Sequence, residues 1–213
     1  MSEDVIEKAI AVNFPVIAAP QSGSIEVPDQ FGTRYIVAKQ SLLCEIHTPW
    51  LYFRAPVARL AQVNQTPYGE VGPLVQLKCN PLPMQVWKEF VAQARNDCPN
   101  EAAALAVWNL TTGAWRLAMR QATLVTPGRI DYVEPEIGED ELVVIDMHSH
   151  GAGAAYFSPR DDADDFGGIK IAVVWGRVQN SMPNIAARLV CPGFFIPLLM
   201  NENGWFETMG VDS

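Results

Sequence analysis

Three histidines, His47, His148 and His150, are all that 213 residues supply. No CxxC pair exists among the four cysteines Cys44, Cys79, Cys98 and Cys191. The amino-terminal run Met1-Ser-Glu-Asp-Val-Ile-Glu is acidic, unlike a secretory leader, so reduced thiols in a cytoplasmic protein are expected. No cluster of Lys and Arg occurs, which argues against a nucleic-acid partner. No apolar run approaches the ~18 residues of a membrane span; the longest, Phe194 to Met200, contains Pro197.

What is present suits a packed protein. The chain is 49% hydrophobic and 18% charged, enough for a core and unlike a disordered segment. Its net charge of -9 is unevenly spread. Residues 1–80 carry 6 basic and 7 acidic side chains, whereas residues 81–213 carry 9 and 17. The acidic excess therefore lies in the half that holds the paired histidines.

Residues 1–80 are punctuated by Pro15, Pro20, Pro28, Pro49, Pro56, Pro67 and Pro73. Between them, Arg34–Ala38, Ser41–Ile46 and Trp50–Arg54 are rich in aromatic and β-branched residues. That pattern predicts short strands and turns rather than helices, hence a small β-rich module over 1–80. His47 has no second histidine near it and is expected to be ordinary.

A second domain is expected over 81–213. Met84, Trp87, Phe90, Val91 and Ala94 recur at helical spacing, so a helix is predicted over about 82–97, with Pro83 in its first turn. Ala102–Asn109 reads as a buried strand, and Trp115–Met119 as its hairpin partner, continuing through Val125 to Pro127-Gly128. Asp131–Glu141 reads as an acidic loop. Leu142–Met147, Ile169–Trp175, Ile185–Val190 and Phe194–Leu199 complete a mixed sheet, giving an α/β class with flanking helices.

The chemistry concentrates in Ile145–Asp161. Extended backbone sends residues i and i+2 to one side, so His148 and His150 can aim at one point. A catalytic zinc needs three protein ligands and an open fourth position. With a third imidazole improbable, a carboxylate completes the set, and Asp161 is the favoured one. Ser158-Pro159-Arg160-Asp161 has the form of a helix start, and the Gly-Ala loop before it is flexible enough to fold the helix back over the strand end. Asp162, Asp164 and Asp165 compete, but they also suit a solvated helix face. Zinc sites that need further histidines downstream are excluded, because none follows His150.

The full string, His148-Ser149-His150, seven residues, Ser158, two residues and Asp161, resembles the signature of the JAMM/MPN+ (JAB) metalloprotease family. The resemblance covers roughly residues 82–200. It implies a JAB/MPN-like, cytidine-deaminase-like sheet and a single catalytic zinc held by His148, His150 and Asp161. It also implies a glutamate base at the start of the strand after the first long helix. Glu101, in Cys98-Pro-Asn-Glu-Ala-Ala-Ala104, has that placement, with Ala104 where glycine is usual; Glu45 is the alternative. Ser158 is implied as the oxyanion donor, taken here to compete with its capping role for one hydroxyl proton. Gly151 stands where many members have proline; it is expected to loosen the loop and to set the substrate groove apart from that of eukaryotic deubiquitinases.

The layout of Leu42–Val57 ahead of such a domain is similar to protein A of the bacterial PRTRC cassette. That similarity implies a ubiquitin-like protein or its conjugates as substrate and E1-like and E2-like proteins as companions, whereas no nucleic-acid or membrane partner is expected from the charge pattern and the short apolar runs. Two other functions are weighed. One is a non-catalytic binding or scaffold module, which usually has lost ligands. The other is a DNA-repair role of the RadC branch, which carries His-Asn-His-Pro where this chain has His-Ser-His-Gly.

Overall fold

The computed structural model describes residues 3–126 and 129–208. The chain forms two compact units, the first ending at Cys79 and the second beginning at Asn80.

The first unit opens on helix α1 (Glu3–Asn13). This corrects the expectation of strands and turns alone. Eleven residues without Pro or Gly can complete helical turns, and Pro15 follows where the helix has stopped. Five strands then form one sheet in chain order: β1 (Val16–Ala18), β2 (Gly32–Val37), β3 (Ser41–His47), β4 (Leu51–Arg59) and β5 (Leu74–Leu77). β1 and β2 are parallel; the remaining pairs are antiparallel. Ile36, Leu43, Ile46, Leu51 and Phe53 are among its fully buried side chains.

The second unit begins with helix α2 (Met84–Asp97), which buries Val86, Trp87, Phe90 and Ala94. Pro83 is its N-cap rather than a first-turn residue. Strands β6 (Ala103–Asn109) and β7 (Trp115–Met119) form a hairpin. β7 does not continue through Val125, as the sequence suggests. Arg120 N–H donates to the carbonyl of Ala103, the first residue of β6, so the hairpin partner is exhausted there. The chain instead leaves the sheet as β8 (Gln121–Thr126), paired antiparallel with β9 (Arg129–Val133). The acidic stretch expected to be a loop thus starts in a strand, and Pro127-Gly128 lies outside the described residues.

Strands β10 (Glu141–Ser149), β11 (Lys170–Gly176), β12 (Asn184–Cys191), β13 (Phe194–Met200) and β14 (Phe206–Thr208) complete the main sheet. Its order is β14-β13-β12-β11-β10-β6-β7. Only β10 and β11 run parallel. Parallel neighbours require a crossover, and residues 150–169 supply it, including helix α3 (Pro159–Asp165). Ile145, Met147, Val173 and Leu189 are completely buried in this sheet. The carboxyl end of β10, where the crossover leaves, is where α/β sheets characteristically place their chemistry.

Candidate metal centre

His148 and His150 sit at that strand end. Within β10, His148 pairs with Ala103 of β6 on one side and Val174 of β11 on the other, so its backbone is held on both edges. The two Nε2 atoms are 3.2 Å apart. Asp161 Oδ1 lies 3.5 Å from His148 Nε2, and one donor atom from each of the three residues falls within 4.8 Å of the others. Tetrahedral zinc with bonds of about 2.0–2.1 Å separates its ligand atoms by roughly 3.3 Å. The 3.2 and 3.5 Å separations match that span, so the donor set suits zinc by both chemistry and size.

The second ring nitrogens support the same arrangement. His150 Nδ1 is 3.0 Å from the Ala154 carbonyl. A carbonyl only accepts, so Nδ1 carries a proton and Nε2 is the nitrogen turned to the centre. Burial pulls the His148 pKa below the usual histidine range; the Asp161 carboxylate opposes this and the neighbouring His150 adds to it. Neutral imidazole is the ligating form.

Helix α3 delivers Asp161 through a complete capping box. Ser158 Oγ accepts from Asp161 N–H at 3.2 Å, and Asp161 Oδ2 accepts from Ser158 N–H at 2.6 Å. The second bond occupies the carboxylate oxygen that does not face His148. The expected competition for the serine proton does not arise. Capping uses an oxygen lone pair, and the hydroxyl proton remains free to donate.

Glu101 stands just before β6 and lines the same cleft, of about 510 Å³, as His148, His150, Ser158 and Asp161. Burial raises its carboxyl above the ordinary glutamate range, with the His150 ring opposing and the Asp161 carboxylate reinforcing. Its position is set by Ser149, which the sequence motif includes without revealing its function. Ser149 is fully buried. Its Oγ accepts from Ala102 N–H at 3.0 Å, and its own N–H donates to the Ala102 carbonyl at 2.9 Å. The residue after Glu101 is thereby fastened to the residue between the histidines.

Gly151 does not loosen the loop. Its φ is +54°, and a Cβ there would lie 2.7 Å from the Pro99 carbonyl oxygen. Glycine permits both the left-handed turn and the close approach of the Glu101 segment. The loop is also bound to the chain after β11: Val178 N–H donates to the Gly151 carbonyl at 3.0 Å and Arg177 N–H to that of Gly153 at 2.7 Å.

Among the competing aspartates, Asp164 is exposed, as a solvated helix face requires, and pairs with Arg160 at 3.7 Å. Asp165 departs from that expectation: it is buried, with Lys170 and Arg188 as ion-pair partners. Asp162 is half-exposed and pairs with Arg188. A further carboxylate, Asp146, points to the His148 side of β10 and receives Arg120 and Lys170. Burial opposes its ionisation, but the two cations outweigh that and hold its pKa below the ordinary range. Apart from the i,i+4 pair Arg160–Asp164, these ion pairs have no local sequence signal, because the partners come from different elements of the fold.

Glu45, the alternative base, belongs to the first unit. It is buried there, where Arg34 and Arg54 pair with it and Tyr52 Oη donates to it. His47 is also buried there, with Nε2 2.7 Å from Lys78 Nζ. Cys44, Cys79 and Cys98 are free thiols.

Residues 83–190 match the family model described as prokaryotic homologs of the JAB domain. Residues 4–78 match one described as a domain of unknown function, DUF2016. Among solved structures, the solution structure of protein DSY2949 from Desulfitobacterium hafniense is similar at 17% identity. The match covers 54% of this chain and 86% of that one, with a TM-score of 0.40. No curated protein matches.

Proposed function

This chain belongs to the prokaryotic homologs of the JAB domain, and from that premise we propose that it is a zinc-dependent metallopeptidase or isopeptidase. Its proposed substrate is the tail of a ubiquitin-like protein, cut at a peptide or isopeptide bond. The observation that carries the proposal is the convergence of His148, His150 and Asp161 at zinc-ligand spacing, beside the partly buried carboxyl of Glu101. The domain is proposed to share the cytidine-deaminase-like plan of the JAB/MPN fold.

His148 Nε2, His150 Nε2 and an Asp161 carboxylate oxygen would hold the ion. A bound zinc supplies Lewis acidity, polarising the scissile carbonyl and making a water easier to deprotonate. Glu101 takes the proton from the attacking water on its carboxylate and passes it to the departing amine. A carboxyl whose pKa is raised by burial is better matched to that exchange than an exposed glutamate. Ser158 Oγ, already accepting from Asp161 N–H, turns its own proton toward the oxyanion, a contribution of roughly 3–4 kcal/mol in comparable sites. Ser149 keeps Glu101 in register with the two histidines.

A ubiquitin-like substrate and E1-like and E2-like companions are proposed from the resemblance to protein A of the PRTRC cassette, with which the amino-terminal match is consistent. No helix among the described residues is long and apolar enough to cross a membrane, and a cytoplasmic location accords with the free thiols. The test is a cleavage assay on ubiquitin-like proteins encoded beside the gene. The unaltered chain is expected to cut and Glu101→Gln to fail. Cleavage at an undiminished rate by Glu101→Gln removes Glu101 as the base; no cleavage by either chain favours a scaffold function.

A further inference from the structure

Helix α3 carries the third ligand, yet little in its own sequence holds it in place. Its seven residues, Pro-Arg-Asp-Asp-Ala-Asp-Asp, fall well short of the ~12–15 at which an isolated helix becomes even marginal in water. It offers no large apolar side chain, and its one buried residue is Asp165. Phe166, immediately after it, is 77% exposed. Hydrophobic packing of an amphipathic face therefore does not explain where α3 sits.

Arg188 on β12 does. Its side chain is 7% exposed. Nε and Nη2 donate to Asp165 Oδ2 at 3.1 and 2.6 Å, and Nη1 pairs with Asp162. The guanidinium lies between two rings, its Cζ 3.9 Å from the centre of Phe157 and 4.0 Å from that of Phe195. Phe157 precedes Ser158 and Asp162 follows Asp161, so Arg188 grips the chain on both sides of the capping box.

The sheet register makes this reach possible. Asp146, Ala172 and Arg188 are successive cross-strand neighbours on β10, β11 and β12. The small Ala172 leaves the face open between the two charged residues. Lys170 links that face to α3, 2.7 Å from both Asp146 and Asp165.

We infer that Arg188 is a positioning residue for the metal centre: it fixes α3 on the sheet and thereby sets Asp161 and Ser158 opposite the two imidazoles. Its effect on α3 rests on geometry alone; its effect on zinc rests on the function proposed above. Lysine cannot replace it, because lysine lacks both the planar fork and the flat surface that stacks between rings.

The test combines residue-resolved amide exchange with zinc titration on the full chain. The variants are Arg188→Met, Arg188→Lys, Asp161→Ala and the Arg188→Met/Asp161→Ala double. In metal-free Arg188→Met, the amides of Asp161 and Asp162 are expected to exchange roughly tenfold faster or more, while those of Ile145 and Val173 keep their protection. Zinc affinity is expected to fall about 10–100-fold, as for other groups that orient metal ligands. Arg188→Lys regains only part of it. In the Asp161→Ala background, Arg188→Met adds no further loss, because its effect passes through Asp161.

Unchanged α3 exchange in folded Arg188→Met overturns the inference, and so do losses of zinc affinity that multiply in the double variant. If the unaltered chain binds no zinc, the metal proposal falls and the exchange result alone decides the role of Arg188. If Arg188→Met does not fold, Asp162→Asn removes only the half-exposed partner. Faster exchange at Asp161 then supports the inference, and unchanged exchange overturns it.

Discussion

Replacing Ser149 by alanine removes one oxygen from the centre of the account. The hydroxyl is fully buried and accepts from Ala102 N–H, itself on a buried residue. Alanine leaves that donor with neither protein nor water, which costs about 1–3 kcal/mol. The backbone bond from Ser149 N–H to the Ala102 carbonyl survives, so β10 and the Glu101 segment stay joined but less tightly. For a chain of this size each kcal/mol lowers Tm by about 2–4 °C, so a loss near 2 kcal/mol appears as a fall of about 4–8 °C. Thermal unfolding followed by circular dichroism reads that directly. A second readout separates stability from positioning. His148 keeps both strand neighbours in the variant, so zinc affinity stays near that of the unaltered chain while kcat falls through the loosened Glu101. A Tm within about 1 °C of the unaltered protein, with kcat unchanged, refutes the assignment of Ser149 as the tie between base and ligands.

Two other perturbations follow from the geometry. Gly151→Ala forces a Cβ to within 2.7 Å of the Pro99 carbonyl at a φ of +54°. A destabilisation of roughly 1–3 kcal/mol is expected from the backbone conformation, measured by chemical denaturation. Hydrogen bonds from Arg116, then from Gly138 N–H, hold the Glu141 pKa at about 2, below its ordinary 4.5. A depressed carboxyl stabilises the fold above its unfolded pKa, and that stability disappears as pH falls through the folded one. Glu141→Gln therefore melts below the unaltered chain at neutral pH. The gap narrows as pH drops from 4.5 towards 2, and acid titration that shows a constant gap contradicts the pairing.

The clustering of His148, His150 and Asp161 was legible because its determinants are local. Two histidines two residues apart in a strand share a side, and Ser158, Pro159 and Asp161 announce a helix start within four positions. That Glu101 lines the same cleft as the histidines was legible from its place after a long helix. Arg188, Asp146 and Lys170 were not, because their meaning depends on which strands become neighbours and in what register. The burial of Asp165 was hidden for the same reason: on a short acidic helix it looks solvated until Arg188 and Lys170 arrive from β12 and β11. Helix α1 was missed because proline counted over 80 residues conceals eleven consecutive residues without one. β8 left the sheet because β6 has no residue before Ala103 to pair with, a limit that alternation within 121–126 does not reveal. Gly151 looked like freedom in the sequence, whereas in the fold it permits a tight contact.

Zinc stoichiometry tests the central claim most directly. The purified chain, equilibrated with zinc and then separated from free metal, is expected to retain one ion per molecule, and His150→Ala and Asp161→Ala to retain far less. A chain that takes up no zinc, or one in which these substitutions leave binding unchanged, contradicts the assignment of His148, His150 and Asp161 as the metal centre.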